Sequence, residues 1–132
     1  MGKINYKENL DSVFSLFIRY RDAMDNGYIK CISCGEVKPF GQFENGHFIP
    51  RGNLSTRFNE DNCNSQCRIC NEYKSGDLVN YRHNLIKKIG NERVLELERL
   101  KNVSGKYSEQ EYKSLIKKYR ALNRKLKKEK GI

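Results

Sequence analysis

Two pairs of cysteines constrain the fold of this chain more than any other feature. Cys31 and Cys34 form one C-x2-C pair, and Cys67 and Cys70 form the second. Each pair presents two thiolates from one tight turn, so the two pairs together supply the four ligands of a tetrahedral zinc site. Because thiolates take all four positions, we expect this zinc to be structural. Cys63 is left over, either as a small buried hydrophobe or as an alternative zinc ligand.

The composition fits a small domain that benefits from a metal staple. The chain has 132 residues, of which 37% are hydrophobic, and this indicates a single domain, 1–132, with a thin core. No apolar run is long enough to span a bilayer, and no signal-peptide pattern opens the chain. We therefore expect a cytoplasmic protein whose reduced thiols bind metal.

The charge balance points to a polyanionic partner. The net charge is +10 and the pI is about 9.5, which favours binding to phosphate backbones. A membrane surface would attract the same charge, but no strongly apolar amphipathic face or lipidation signal supports one. The last predicted helix carries most of the excess, and its expected DNA contacts are Lys117, Lys118, Arg120, Arg124 and Lys125.

Helices are predicted on both sides of the cysteine-rich segment. Residues 1–8 show no pattern and are expected to fray, and residues 10–27 form an N-terminal helix that ends at Asn26-Gly27. Residues 77–132 form a helical part with a basic tail. Within it Asp77 caps one helix that ends at Gly90, a second helix covers 91–100, and Ser108 opens the last helix with a capping box.

The segment 28–76 is predicted as two strands and a helix. A strand around 43–49 ends at Pro50, and Arg57-Phe58 pairs back as its hairpin partner. A helix then starts at Asp61 or Asn62 and carries the second cysteine pair as far as Lys74. The polar residues in this segment that are suited to chemistry are Glu44, His47, Asn62 and Asn71.

The spacing of these residues matches a known type of nuclease. The pattern His-x-x-Pro, a loop, then Asn-x4-Cys-x2-Cys-Asn-x2-Lys resembles an HNH (ββα-metal) nuclease in its zinc-stapled form. Longer matches at 14–22, 26–28, 46–48, 57–62 and 81–82 resemble the NinG (Rap) family of phage recombination proteins. The resemblance covers roughly residues 10 to 100. It implies an α+β, mostly helical fold, with a zinc-stapled HNH-like core flanked by an N-terminal helix and C-terminal helices.

The resemblance also assigns chemical roles. His47 would be the general base that deprotonates a water attacking a phosphodiester. Asn62 would hold the strand of His47 by hydrogen bonds. Asn71 would give an oxygen ligand to a catalytic Mg²⁺ or Mn²⁺.

One position departs from the HNH pattern. HNH enzymes usually carry Asp or His immediately before the base, as a metal ligand, and here that residue is Gly46. Strand side chains alternate in direction, so Glu44 faces the same way as residue 46 and is expected to replace the missing ligand. Asp61 and Glu60 are the alternatives, although the helix dipole alone explains acidic residues at a helix start.

Further basic residues are expected to contact phosphate: Arg51, Arg57, Lys74 and Arg82. For Arg82 a surface salt bridge is the alternative. Arg19 and Arg21 are either solvated helix surface or phosphate contacts. His83 is interpreted as a surface or packing residue.

The resemblance therefore implies an endodeoxyribonuclease that cuts Holliday junctions or D-loops in phage recombination. Paired nicks suit a twofold homodimer, with the apolar stripe of the last helix as its interface, although packing within one chain explains the stripe equally well. We expect no membrane partner and no small-molecule cofactor. The alternative function is a zinc-stapled DNA-binding module without catalysis, in which Gly46 marks a lost active site.

Overall fold

A computed structural model describes residues 4–132 of the chain. In chain order its helices and strands are α1 Tyr6–Asp22, β1 Tyr28–Lys30, β2 Val37–Pro39, β3 Phe43–His47, α2 Leu54–Arg57, β4 Cys63–Cys67, α3 Leu78–Ile89, α4 Asn91–Leu100 and α5 Glu109–Lys130. A 3-10 turn at Phe40–Gln42 precedes β3, and a short π-helix at Ile69–Tyr73 follows β4. The mostly helical α+β class is confirmed, with two sheets of two strands each.

The first helix begins earlier and ends earlier than its sequence pattern indicates. The side chain of Asn5 accepts a hydrogen bond from the backbone N–H of Glu8 and caps α1 at Tyr6. The predicted fraying is therefore wrong for residues 6–8, while residues 1–3 lie outside the described residues. The helix stops at Asp22, and Gly27, with φ of +83°, instead serves the turn into β1.

The second sheet differs from the predicted hairpin. β3 pairs antiparallel with β4, Phe43 opposite Cys67 and His47 opposite Cys63. The prediction that Arg57-Phe58 forms the second strand is wrong, since Leu54–Arg57 is a helical turn. The prediction of a helix from residue 61 or 62 is also wrong up to Cys67. β4 is buried along its whole length, and its polar side chains bond to distant parts of the chain, so no alternation of apolar and polar residues marks it as a strand.

The first and last helices form the main hydrophobic core. Ser108 and Glu111 make the predicted capping box at the start of α5. Tyr119 packs its ring against Phe14 and Phe17 of α1, with ring centroids 4.9 and 4.7 Å apart. Tyr112 and Ile116 belong to the same buried cluster. The apolar stripe of α5 is therefore covered within the chain, and the predicted dimer would need another surface.

The helices α3 and α4 cover a smaller core beside β3. α3 starts after Asp77 and ends at Gly90, as predicted, but the side chain of Asp77 makes no capping bond to the backbone and accepts from Nδ2 of Asn80 instead. α4 has the predicted bounds. Their buried residues, packed with Phe48 and Ile49 after β3, are Tyr81, Leu85, Val94 and Leu97. Leu78, Val79 and Leu95, although apolar, are exposed. In residues 4–132 no helix combines the length and apolar character needed to cross a bilayer.

Candidate functional site

The four cysteines of the two pairs converge on one point. Their Sγ atoms all lie within 4.8 Å of one another. Four thiolates at about 2.3 Å from a tetrahedral zinc lie about 3.8 Å apart, and Sγ of Cys34 lies 3.9 Å from Sγ of Cys67. The backbone N–H of Cys67 also donates to Sγ of Cys31 at 3.3 Å. The donor set and its spacing fit a structural zinc ion that ties the end of β1 to the end of β4.

Cys63 lies outside this cluster, in the core between α1 and α5. Its thiol is fully buried, and burial raises its pKa above the usual value for cysteine. The thiol therefore stays protonated at neutral pH. Of the two interpretations of Cys63, a small buried hydrophobe or an alternative zinc ligand, the structure supports the first.

A cleft of about 700 Å³ lies against β3. α1 forms one side of it, and the segment from the π-helix to Leu78 forms the other. The polar side chains that line it include Arg19, Glu44, His47, Arg51, Arg68 and Asn71. Three of the four residues predicted to be catalytic thus share one cleft.

His47 lies at the end of β3 with its ring fixed by the backbone. Its Nε2 is 3.0 Å from the carbonyl oxygen of Arg57. A carbonyl only accepts hydrogen bonds, so the neutral ring carries its proton on Nε2 and keeps its lone pair on Nδ1. Burial lowers the pKa of His47 below its usual value, and the bond to Arg57 opposes part of that shift. The neutral ring is therefore the favoured form at pH 7.

Asn62 is the fourth predicted residue, and it lies behind the cleft. It is fully buried. Its Oδ1 accepts from the N–H of Ile49 at 2.7 Å, and its Nδ2 donates to the carbonyls of Ile49 at 3.0 Å and Thr56 at 3.1 Å. These bonds join the chain just after His47 to the loop that supplies the Arg57 carbonyl. Asn62 thus positions both the ring and its partner.

Glu44 and Asn71 meet in the cleft. Nδ2 of Asn71, on the π-helix, donates to Oε1 of Glu44 at 3.1 Å. This contact leaves Oδ1 of Asn71 and Oε2 of Glu44 available for a hard cation, which prefers carboxylate and carboxamide oxygens. The alternative acids are engaged elsewhere, because Asp61 pairs with Arg93 and Glu60 accepts from the hydroxyl of Tyr119.

Gly46 is sterically required. A Cβ at this position would lie 2.8 Å from Cβ of Gln66, which is closer than real side chains approach. The carbonyl of Gly46 accepts a 2.7 Å hydrogen bond from the hydroxyl of Tyr81, which is fully buried. Tyr81 thereby holds the strand next to His47. Sequence reasoning missed this role of Tyr81, because in the sequence Tyr81 looks like any other aromatic residue of a helix.

The basic residues predicted to contact DNA fall into two groups. The guanidinium of Arg57 donates two hydrogen bonds to the carboxylate of Asp11, and the Arg57 side chain is only 12% exposed. Arg57 therefore forms an ion pair within the fold. Arg82 pairs with Glu98 at 2.8 Å, as its alternative interpretation expected. The exposed residues are Arg51, Lys74, Lys117, Lys118, Arg120, Arg124 and Lys125. Arg19 also lies in the cleft, half-buried and held over the ring of Phe40.

Comparisons with known proteins point to one family. The family described as Bacteriophage Lambda NinG protein matches residues 2–129. Protein ninG of Escherichia phage lambda is 45% identical over 83 residues, which cover 62% of this chain and 38% of that protein. Protein ninG of Escherichia phage 933W is 43% identical over a stretch that covers 62% of this chain and 39% of that protein. Protein ninG of Salmonella phage P22 is 42% identical over a stretch that covers 62% of this chain and 38% of that protein. The matched region thus spans less than half the length of these relatives. No solved structure matches the chain.

Proposed function

The chain belongs to the NinG family of lambda-like phages, and from this premise we propose that it is a metal-dependent endonuclease that cuts branched DNA, such as Holliday junctions or D-loops, during phage recombination. The observation that carries the proposal is the shared cleft, in which a neutral imidazole and a carboxylate–carboxamide pair lie together. The family name supports the phage setting, whereas the chemistry rests on these side chains.

His47 supplies the base. With Nε2 held by the Arg57 carbonyl, the free Nδ1 accepts the proton of a water molecule as that water attacks phosphorus. Asn62 and Tyr81 keep the ring in place through the backbone on either side of it. The base therefore needs no rearrangement before it acts.

Glu44 and Asn71 would hold the catalytic divalent ion. Bound there, Mg²⁺ or Mn²⁺ would polarise the scissile phosphate and offset the charge on the leaving 3′-oxygen. A zinc ion in the cysteine cluster would contribute indirectly, because Cys70 is next to Asn71 in sequence and Cys67 ends the strand that pairs with the strand of Glu44. Arg19, Arg51 and Arg68 line the same cleft and would bind the phosphates on either side of the cut.

A second candidate function is a zinc-stapled DNA-binding module without catalysis. Gly46 favours it, because that residue offers no metal ligand and the space its side chain would need is filled by Gln66. The exposed cations of α5 serve either function equally well.

A cleavage assay separates the two functions. Purified protein is incubated with a labelled four-way junction and with linear duplex, with Mg²⁺, with Mn²⁺ and without divalent metal. We expect metal-dependent nicks in the junction, and we expect His47→Ala to lower their rate by at least about a hundredfold. The matched control is His83→Ala, which changes the other histidine, an exposed residue of α3.

The zinc content of both variants should equal that of the parent protein, because neither histidine bonds to the cysteine cluster. The DNA affinity of both variants should also equal that of the parent. If the parent forms no product from any substrate, the binding module is the better description. If His47→Ala cuts at the parental rate, the base is another residue.

A further inference from the structure

Gln66 is a fully buried amide behind the wall of the cleft. It lies on β4 directly opposite Glu44 in the register of the sheet. Residues opposite each other on an antiparallel pair point to the same face, with Cβ atoms about 5 Å apart. Gln66 and Glu44 are therefore neighbours on the face to which Gly46 also belongs.

The orientation of the Gln66 amide is fixed by its partners. Its Nε2 lies 2.8 Å from Oγ of Ser33 and 2.5 Å from the carbonyl oxygen of Gly76. A carbonyl oxygen only accepts, so the atom that faces Gly76 must be the amide nitrogen. The oxygen Oε1 is consequently the atom that points at Gly46.

This oxygen has no partner. No hydrogen-bond donor in residues 4–132 reaches Oε1 of Gln66, although the atom is shielded from solvent. An acceptor left unsatisfied in the interior costs about 1 to 3 kcal/mol. The oxygen is also the atom nearest to the place that a residue-46 Cβ would occupy. The carboxamide oxygen of Gln66, on β4, therefore occupies the space that a side chain at position 46 of β3 would fill.

From these contacts we infer that Oε1 of Gln66 is a ligand of the divalent ion bound by Glu44 and Asn71. The inference rests on the proposed function, since it extends the metal site suggested there. One carboxylate and two carboxamides form an all-oxygen donor set, which suits Mg²⁺ or Mn²⁺, with water and phosphate oxygens filling the remaining positions. An ion would also satisfy the buried acceptor. Ser33, in the first cysteine knuckle, holds the amide in this orientation.

The direct test needs no variant. Crystals of the protein are soaked in Mn²⁺, and the ion is located by its anomalous scattering. We expect one Mn²⁺ within about 2.5 Å of Oε1 of Gln66 and of an oxygen of Glu44. An ion on Glu44 and Asn71 with a water on Gln66 overturns the inference but leaves the proposed nuclease intact. A cleft without Mn²⁺ at saturating concentration overturns both.

A solution measurement adds a second readout. Mn²⁺ binding is followed by the loss of the free-ion signal in electron paramagnetic resonance, at constant zinc content. Gln66→Met keeps the volume and removes the oxygen, so we expect affinity for Mn²⁺ to fall by about tenfold or more. The control is Asn123→Leu, because Asn123 is likewise buried with an unpartnered Oδ1 but lies on α5, outside the residues that line the cleft.

We expect Asn123→Leu to leave Mn²⁺ affinity unchanged. Equal Mn²⁺ affinity in folded Gln66→Met and in the parent overturns the inference. If Gln66→Met does not fold, the anomalous map of the parent protein decides.

Discussion

A single ring, His47, sets the expected response of the site to pH. Burial lowers the pKa of His47 below 6.5, and only the neutral ring can accept a proton. We therefore predict that kcat/KM for junction cleavage falls on the acid side with a midpoint below pH 6.5, measured between about pH 5 and 8. A bound divalent cation would shift the midpoint in the same direction. A midpoint at or above 6.5 would contradict the structural placement of the ring.

The same pKa shift has a consequence for stability. Between the folded-state pKa and 6.5 the unfolded chain binds more protons than the folded chain. The contribution of His47 to the free energy of unfolding is therefore complete above pH 6.5. It is lost as the pH falls through the folded-state pKa.

At the scale of residues, sequence reasoning predicted which side chains lie together better than it predicted their bonding partners. The interval between His47 and Asn71 was enough to suggest a shared site, and the two line one cleft. The engagement of Arg57 by Asp11 joins residues 46 positions apart, and no local pattern reveals it. The unpaired oxygen of Gln66 is likewise a property of three-dimensional contacts alone.

At the scale of elements, the two cysteine pairs could tie β1 to β4 through a bound zinc ion. Cys34 is exposed, so its substitution would remove one of the four candidate zinc ligands with little loss of apolar burial. We predict that Cys34→Ala binds less zinc and unfolds at lower temperature, and that a chelator lowers the Tm of the parent much more than that of the variant. Zinc content per chain and thermal unfolding measure this.

The control for that experiment is Cys63→Ala. Cys63 is buried but lies outside the cluster, so this variant should lose stability by about 1 kcal/mol while keeping its zinc. Zinc loss from Cys63→Ala, or full zinc content in Cys34→Ala, would contradict the assignment of ligands.

The elements that sequence predicted well are those with local signals. The capping box of α5, the stop of α3 at Gly90 and the bounds of α4 each depend on a few adjacent residues. β4 was missed because its sequence, Cys-Asn-Ser-Gln-Cys, is polar yet buried, and its amide nitrogens donate to distant partners such as Ser33 and Tyr81. Tertiary hydrogen bonds, and not periodicity, make this segment a strand.

At the scale of the whole molecule, α5 combines a packed inner face with an exposed basic face. Its inner face packs against α1, so truncation after Ser108 would remove core residues together with charge. A cleaner test of DNA binding is Lys117→Gln with Lys118→Gln, two exposed lysines of α5. We predict that the slope of log affinity against log salt falls by about two, since each phosphate contact contributes about 0.9.

The matched control is Lys101→Gln with Lys106→Gln, two exposed lysines on the chain between α4 and α5. That pair should keep the parental slope. Equal slopes for the α5 pair and for the parent protein would show that this helix does not face the DNA backbone.

Contacts between α1 and α5 also join the two ends of the described chain. Asn123 of α5 is buried, and its Nδ2 donates to the carbonyl of Val13 in α1. Nζ of Lys130 donates to the carbonyls of Tyr20 and Arg21, at the end of α1, and of Ala23, just after it. During synthesis α1 therefore emerges from the ribosome long before its support does. That helix, which forms one wall of the cleft, gains these contacts only once residue 130 has been synthesised.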